Sequence, residues 1–195
     1  QSPDPLPEVR NGVSFGRSHD GEWRFFATPS PRETNGASGV SAVTSPVSFN
    51  VSRGLFDSPF HLTLSSKESG ALIRYTIDGS DPSEENGRVY DQPLLINQST
   101  IVRAVAFRSN ALPSMIRTES YLFTETALRG GLPVFSLATD ESNIQGPTGI
   151  LGISGGEYIP RGTEFVWSAV GPEDYHNPTQ RGIQWERPVS IEYFD

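Results

Sequence analysis

The chain has 195 residues, enough to bury roughly 70% of its unfolded surface, so one ordinary domain or two small ones can hold a core. Fifteen basic against 23 acidic residues, a net charge of −8, argue against a phosphate-backbone partner, which needs clustered Lys and Arg. With no cysteine there is neither a disulfide framework nor a thiolate zinc site, and no apolar run approaches the roughly 20 residues of a spanning helix. Gly 19 and Pro 16, without a long helix-period apolar stretch, predict a mainly β chain of short strands joined by turns.

Residues 1–10 hold three prolines and no periodic pattern, an extended lead-in. Val13 to Arg17 and Trp23 to Phe26 are strand-like runs around Ser18-His19-Asp20-Gly21-Glu22, where Asp-Gly signals a hairpin. A lone hairpin is marginal in water, so it must dock on something. V-S-F-G-R, then D-G-x-W, then T-P-S-P-R-E-T-N resembles the closing strands of a bacterial lamin-tail domain over about the first 36 residues, with Arg32 where that pattern has Gly. Residues 37–45, within a stretch rich in Gly, Ser, Ala and Thr, are expected to form a flexible linker.

From 46 to 124 the chain alternates repeatedly: Val47 to Val51, Phe60 to Leu64, Ile73 to Ile77, an apolar Val89 to Ile96 broken by Pro93, Ile101 to Phe107, and Met115 to Phe123. Six or seven short strands at this spacing predict an immunoglobulin-like (Fn3-like) β-sandwich. Ile73, Tyr75 and Ile77 are placed on the core face, and Asp78-Gly79-Ser80-Asp81-Pro82 is a structural turn in which Gly supplies positive φ and Pro blocks further pairing. Y-T-x-D-G-S-x-P at Tyr75 to Pro82, the Tyr90 strand and S-T-I-V-R-A-V-A-F at Ser99 to Phe107 resemble the C-terminal domain of chitobiases and β-hexosaminidases, the Fn3-associated domain. That resemblance implies a fold and an accessory role, and no chemistry.

Gly130-Gly131 marks the next boundary, and residues 125–195 hold ten acids against four arginines. Leu132 to Leu137 reads as a strand, Asp140 to Ile144 as a capped helical turn, Pro147 to Ile150 as a tight turn, and Pro188 to Phe194 as a strand with Val189, Ile191 and Tyr193 on one face. With its neighbour cut away, that last strand would be an orphan open to pairing with another copy. L-P-V-x-S-L-x-T-D, T-G-I, and R-G-x-x-W-E-x-P-V-S-x-E-Y-F-D resemble the N-terminal opening of CotH-type kinase-like domains. The resemblance implies nucleotide- and metal-binding residues beyond Asp195. The chain begins on Gln1 and stops within a strand-like run, so it reads as a piece of a longer protein, and a missing signal peptide says nothing about secretion.

No catalytic constellation emerges. Gly152-Ile153-Ser154-Gly155-Gly156 has its second Gly one residue too early for a nucleophile elbow, and the same stretch lacks the Lys of a phosphate loop. Asp78 and Asp81, with Ser80, Glu84 and Glu85, are the kind of close-spaced oxygen donors calcium takes, but the segment is explained as a turn and lacks EF-hand spacing. His19, His61 and His176 are isolated from one another, and Glu173-Asp174 and Glu186 are read as surface charge. Trp167 and Tyr175, in loop-like sequence, are the candidate residues for stacking on a sugar. Asn50 and Asn97 begin glycosylation acceptor patterns.

The expectation is therefore a non-catalytic accessory or spacer region of a secreted or surface-attached bacterial multidomain protein. Its partners are other domains of the same chain, with polysaccharide or cell-surface components as the external ligand class. No cofactor, nucleic acid or membrane span is expected. A carbohydrate-binding or adhesion module is the first alternative, and the opening of an atypical protein kinase the second.

Overall fold

The computed structural model describes residues 5–36, 39–123 and 133–195, and the chain is mainly β. The Gly130-Gly131 boundary and Leu132 lie outside the described residues. β1 (Ser14–Arg17) and β2 (Trp23–Phe26) form the expected antiparallel hairpin. Asp20 closes its loop by accepting from Ser18 Oγ, from the Glu22 N–H (3.0 Å) and from Arg24 Nη2 (2.6 Å). Phe15 stacks on Trp23 with ring centroids 5.4 Å apart and meets Phe25 at a tilt with centroids 4.8 Å apart, and Phe25 and Phe26 are buried. Asn35 Nδ2 donates to the Arg17 carbonyl (2.8 Å), tying the T-P-S-P-R-E-T-N tail back to the hairpin. Within that tail Arg32 adopts φ +69°, a left-handed conformation that glycine would take with less strain.

Residues 40–45 are not a flexible linker. Val40 exchanges backbone hydrogen bonds with Phe25 (2.8 and 2.9 Å), and β3 (Ala42–Val43) pairs in parallel with β12 (Ala111–Leu112). Composition alone cannot anticipate this, because the order comes from docking the hairpin against the neighbouring domain. Thr44 is buried at that seam.

The sandwich is built on a five-stranded sheet in the order β5 (Gly54–Phe56), β13 (Arg117–Phe123), β11 (Thr100–Phe107), β8 (Leu72–Thr76), β9 (Arg88–Val89). Two pairs accompany it, β4 (Ser48–Phe49) with β7 (Leu64–Ser65), and β6 (Phe60–Leu62) with β10 (Leu94–Ile96). Alternate residues of these strands meet in one core: Val47, Leu62, Leu64, Ile73, Tyr75, Ile96, Val102, Ala104, Ala106 and Tyr121. The core residues of β11, the central strand of the sheet, are the small Val102, Ala104 and Ala106. Tyr121 keeps a polar handle inside, donating from its hydroxyl to the Val51 carbonyl (2.9 Å), and burial raises its pKa.

Ile77 departs from expectation. It is 47% exposed, because β8 ends at Thr76, whose Oγ1 donates to the Ser80 carbonyl (2.6 Å) and starts the turn one residue early.

In the C-terminal part, β14 (Val134–Ala138) pairs antiparallel with β19 (Ser190–Phe194), so the last strand has its neighbour within this chain. The ribbon is patterned opposite to a simple amphipathic reading. Ser136, Ala138 and Glu192 are buried, whereas Phe135, Leu137, Ile191 and Tyr193 face outward with Val189. The reason is tertiary: the inner face meets the polar outer surface of β13, where Ser120 Oγ and Ser136 Oγ share a buried hydrogen bond of 2.7 Å. Arg53 ties the same seam, its Nη1 3.4 Å from Glu192 and its guanidinium 5.5 Å from the centre of the Phe194 ring. Its backbone N–H donates to the buried Glu119 (2.7 Å), which also holds Arg117. β15 (Ile153–Ser154) pairs with β18 (Tyr175–His176), and β16 (Glu157–Arg161) with β17 (Glu164–Ser168) forms a projecting hairpin.

Candidate functional site

Two turns of the same design face each other across the junction. In the first, Asp78 Oδ1 accepts from the Ser80 N–H (3.1 Å) and Ser80 Oγ (2.6 Å); in the second, Asp140 Oδ1 accepts from the Ser142 N–H (2.9 Å) and Ser142 Oγ (2.6 Å). Each is an Asp-x-Ser segment in which the carboxylate organises the backbone two residues on. The second caps the 3₁₀ turn Glu141–Asn143, as the sequence predicts. The serine hydroxyls are the main reason both carboxyls are held below their ordinary pKa. Asp78 acts on Asp140 in the opposite sense, as a neighbouring negative charge does.

The turns touch through backbone. Gly79 has φ +85°, and a Cβ built on it would lie 2.5 Å from the Thr139 carbonyl oxygen. Only glycine allows this approach. Thr139 is fixed from the other side, its Oγ1 donating to the Pro188 carbonyl (2.7 Å) and accepting from Asn143 Nδ2 (2.8 Å).

Beside this contact lies a cleft of about 430 Å³ lined by both parts of the chain. Its floor is Arg103 of β11, whose side chain is only 11% exposed. The guanidinium donates to the Gly79 carbonyl (2.7 Å) and Thr118 Oγ1 (3.3 Å) and pairs with Asp81. Asn86 donates from Nδ2 to Ser80 Oγ (3.0 Å) and the Asp81 carbonyl (2.8 Å). Asp140 and Asn143 contribute from the second turn, and Ile116, Pro188 and Val189 supply an apolar wall.

The calcium candidates, Asp78 and Asp81, are thus both engaged by protein donors, and among the described residues no group of three or more His, Cys, Asp or Glu is placed to hold a metal ion. The two stacking candidates fall on strands rather than loops: Trp167 on β17 and Tyr175 on β18. The ring neighbour of Trp167 is His176, with centroids 5.4 Å apart, and His176 Nε2 lies 3.0 Å from the Tyr158 hydroxyl. Trp167 also covers Gly156, where a Cβ would come within 2.5 Å of the indole, and donates from Nε1 to the Gly155 carbonyl (3.2 Å). Much of its surface therefore serves the junction of β15 with the hairpin, and its half-exposed cross-strand partner is Tyr158. Asp174 accepts from the Val170 and Gly171 N–H groups (both 2.8 Å), so its low pKa reflects a turn.

Sequence reading missed Arg103, Asn86 and Asn143. The available signal was the recurrence of Asp-x-Ser at Asp78 and Asp140; what that recurrence could not reveal was that the copies meet.

The fold defines an immunoglobulin-like β-sandwich with a docked β-rich segment. Residues 62–121, from β6 into β13, match the family model described as Fn3 associated, which contains the Asp78–Pro82 turn and Arg103. No curated protein and no solved structure matches the chain.

Proposed function

We propose that this region is a non-catalytic accessory module that holds neighbouring parts of a secreted or surface-attached multidomain protein at fixed geometry. The observation that carries the reading is the junction itself, where Gly79 against Thr139, Ser120 with Ser136, and Arg53 with Glu192 and Phe194 fasten the C-terminal part to the sandwich. Such a joint suits spacing and presentation, because a seam of packed and hydrogen-bonded backbone resists hinge motion.

Within this reading, residues 1–36 are the end of a lamin-tail domain and residues 125–195 the opening of a CotH-type domain. The left-handed Arg32 supports the former, since it stands where that family's pattern carries glycine. If the longer protein is an atypical kinase, its catalytic residues lie beyond Asp195, and this chain by itself turns over no ATP. Measured ATP turnover by the chain would overturn the accessory reading.

The chain has no cysteine, so paired labels can be introduced cleanly at exposed positions. Spin labels at Lys67→Cys and Gln180→Cys should give one narrow distance distribution by pulsed electron resonance. A broad distribution would show that the two parts are not held together. A second reading, polysaccharide or cell-surface binding, is favoured by the half-exposed Tyr158 beside Trp167; retention of the chain on an insoluble polysaccharide, lost in Tyr158→Ala, would support it, and equal retention of that variant would remove it.

A further inference from the structure

We infer that the cleft between the twin Asp-x-Ser turns is a binding site for a neutral, polyhydroxylated ligand of the saccharide class. The inference rests on the docked arrangement of the two parts, and it places the ligand away from Trp167, Tyr175 and Tyr158.

The chemistry follows from what the lining groups have already spent. Asn86 commits both amide N–H groups, to Ser80 Oγ and the Asp81 carbonyl, and keeps its amide oxygen for a ligand, while Asn143 commits one N–H to Thr139 Oγ1 and keeps its amide oxygen and one N–H. Asp140 spends Oδ1 on Ser142, and Asp81 spends Oδ1 on Arg103. Thr118 Oγ1 accepts from Arg103, which leaves its O–H to donate. The cleft is therefore rich in fixed acceptors with a few donors, the complement of a ligand carrying clustered hydroxyls.

Charge narrows the class. A guanidinium forms the floor, almost wholly buried, and opposes a cation settling deep in the cleft. The carboxylates of Asp81 and Asp140 in the lining oppose an anion. A metal ion lacks a third acidic or imidazole ligand among the described residues. A neutral polyol satisfies both signs at once, while Ile116, Pro188 and Val189 offer a surface for its C–H face. At about 430 Å³ the space falls within the range of small-molecule clefts, which favour interfaces between domains. With no aromatic platform among the described residues of the lining, binding should be weak, with Kd on the order of 1 mM.

The test is a titration of the isotopically labelled chain with a panel of neutral di- and trisaccharides, followed by amide and side-chain NMR shifts. At least one saccharide should shift Asn86, Thr118, Asp140 and Asn143 together. Val189→Arg, which fills the cleft from an exposed position without adding an aromatic face, should weaken that binding about tenfold or more. Thr118→Val should weaken it too, with the rest of the spectrum unchanged as proof of folding. Shifts at these residues with calcium or methylammonium but no saccharide would overturn the proposal in favour of a cation site. Saccharide shifts centred on Tyr158 and Trp167 would move the site to the hairpin, and no shift with any saccharide would remove it. A broad label distance together with absent shifts would trace the failure to an open junction; a narrow distance with absent shifts would leave the accessory reading standing and sink this one.

Discussion

Replacing Gly79 by alanine isolates the contact on which the junction depends. Gly79 stands at φ +85°, and Gly70, in the same sandwich, at φ +73°. Either alanine carries the left-handed penalty of about 1–2 kcal/mol. They differ in surroundings: nothing lies within 4 Å of a Cβ at Gly70, whereas one at Gly79 meets the Thr139 carbonyl oxygen at 2.5 Å. The second alanine must therefore push the Thr139 backbone away, against the bonds that fix Thr139 to Pro188 and Asn143, a form of overpacking that costs about 1–3 kcal/mol. Gly79→Ala should thus melt lower than Gly70→Ala by roughly 2–12 °C for a chain of this size. Hydrogen exchange should show the excess as lost protection in β14 and β19, with the sandwich core retained. Valine at 79, bulkier and β-branched, should be worse still. Equal melting of the two alanine variants would refute the reasoning, since only the shared φ penalty would then be acting.

Three other outcomes follow from the same geometry. Ser136→Ala should cost about 1–3 kcal/mol by leaving the fully buried Ser120 hydroxyl without its partner, and the double variant with Ser120→Ala should recover much of that loss in a double-mutant cycle of urea melts. Arg32→Gly should be neutral to stabilising by about 0.5 kcal/mol, because relief of the left-handed strain exceeds the extra freedom glycine confers on the unfolded chain; a fall in melting temperature would refute it. Asp78 and Asp140 have folded-state pKa values below their unfolded ones, so the stability they contribute is present above the ordinary aspartate range and is lost as the pH falls below it. Ser80→Ala and Ser142→Ala remove the largest cause of each shift. The double variant should lose less stability than the parent between about pH 7 and pH 3, and an unchanged difference would show that the hydroxyls do not hold the carboxylates ionised.

Much of the fold could be read locally. The strands of the sandwich, the Asp20-Gly21 hairpin, the Asp78–Pro82 turn and the cap at Asp140 each follow from period-two alternation or from side chains that bond to their own backbone, interactions complete within a few residues. The sandwich was also legible as an Fn3-associated domain, in agreement with the family match over residues 62–121. What depended on distant neighbours was not legible. Val40 to Ser45 look like a linker until Phe25 and Leu112 pair with them. Ile77 looks like core until Thr76 closes the turn, and β19 turns its apolar face outward because Ser120 and Arg53 meet the other side. The candidate site belongs to this second group. Both Asp-x-Ser turns were visible as isolated pieces of punctuation, and only the tertiary structure brings Gly79 against Thr139 and sets Arg103 beneath the cleft between them, because an approach of backbone to backbone across more than fifty residues leaves no periodic trace in either segment.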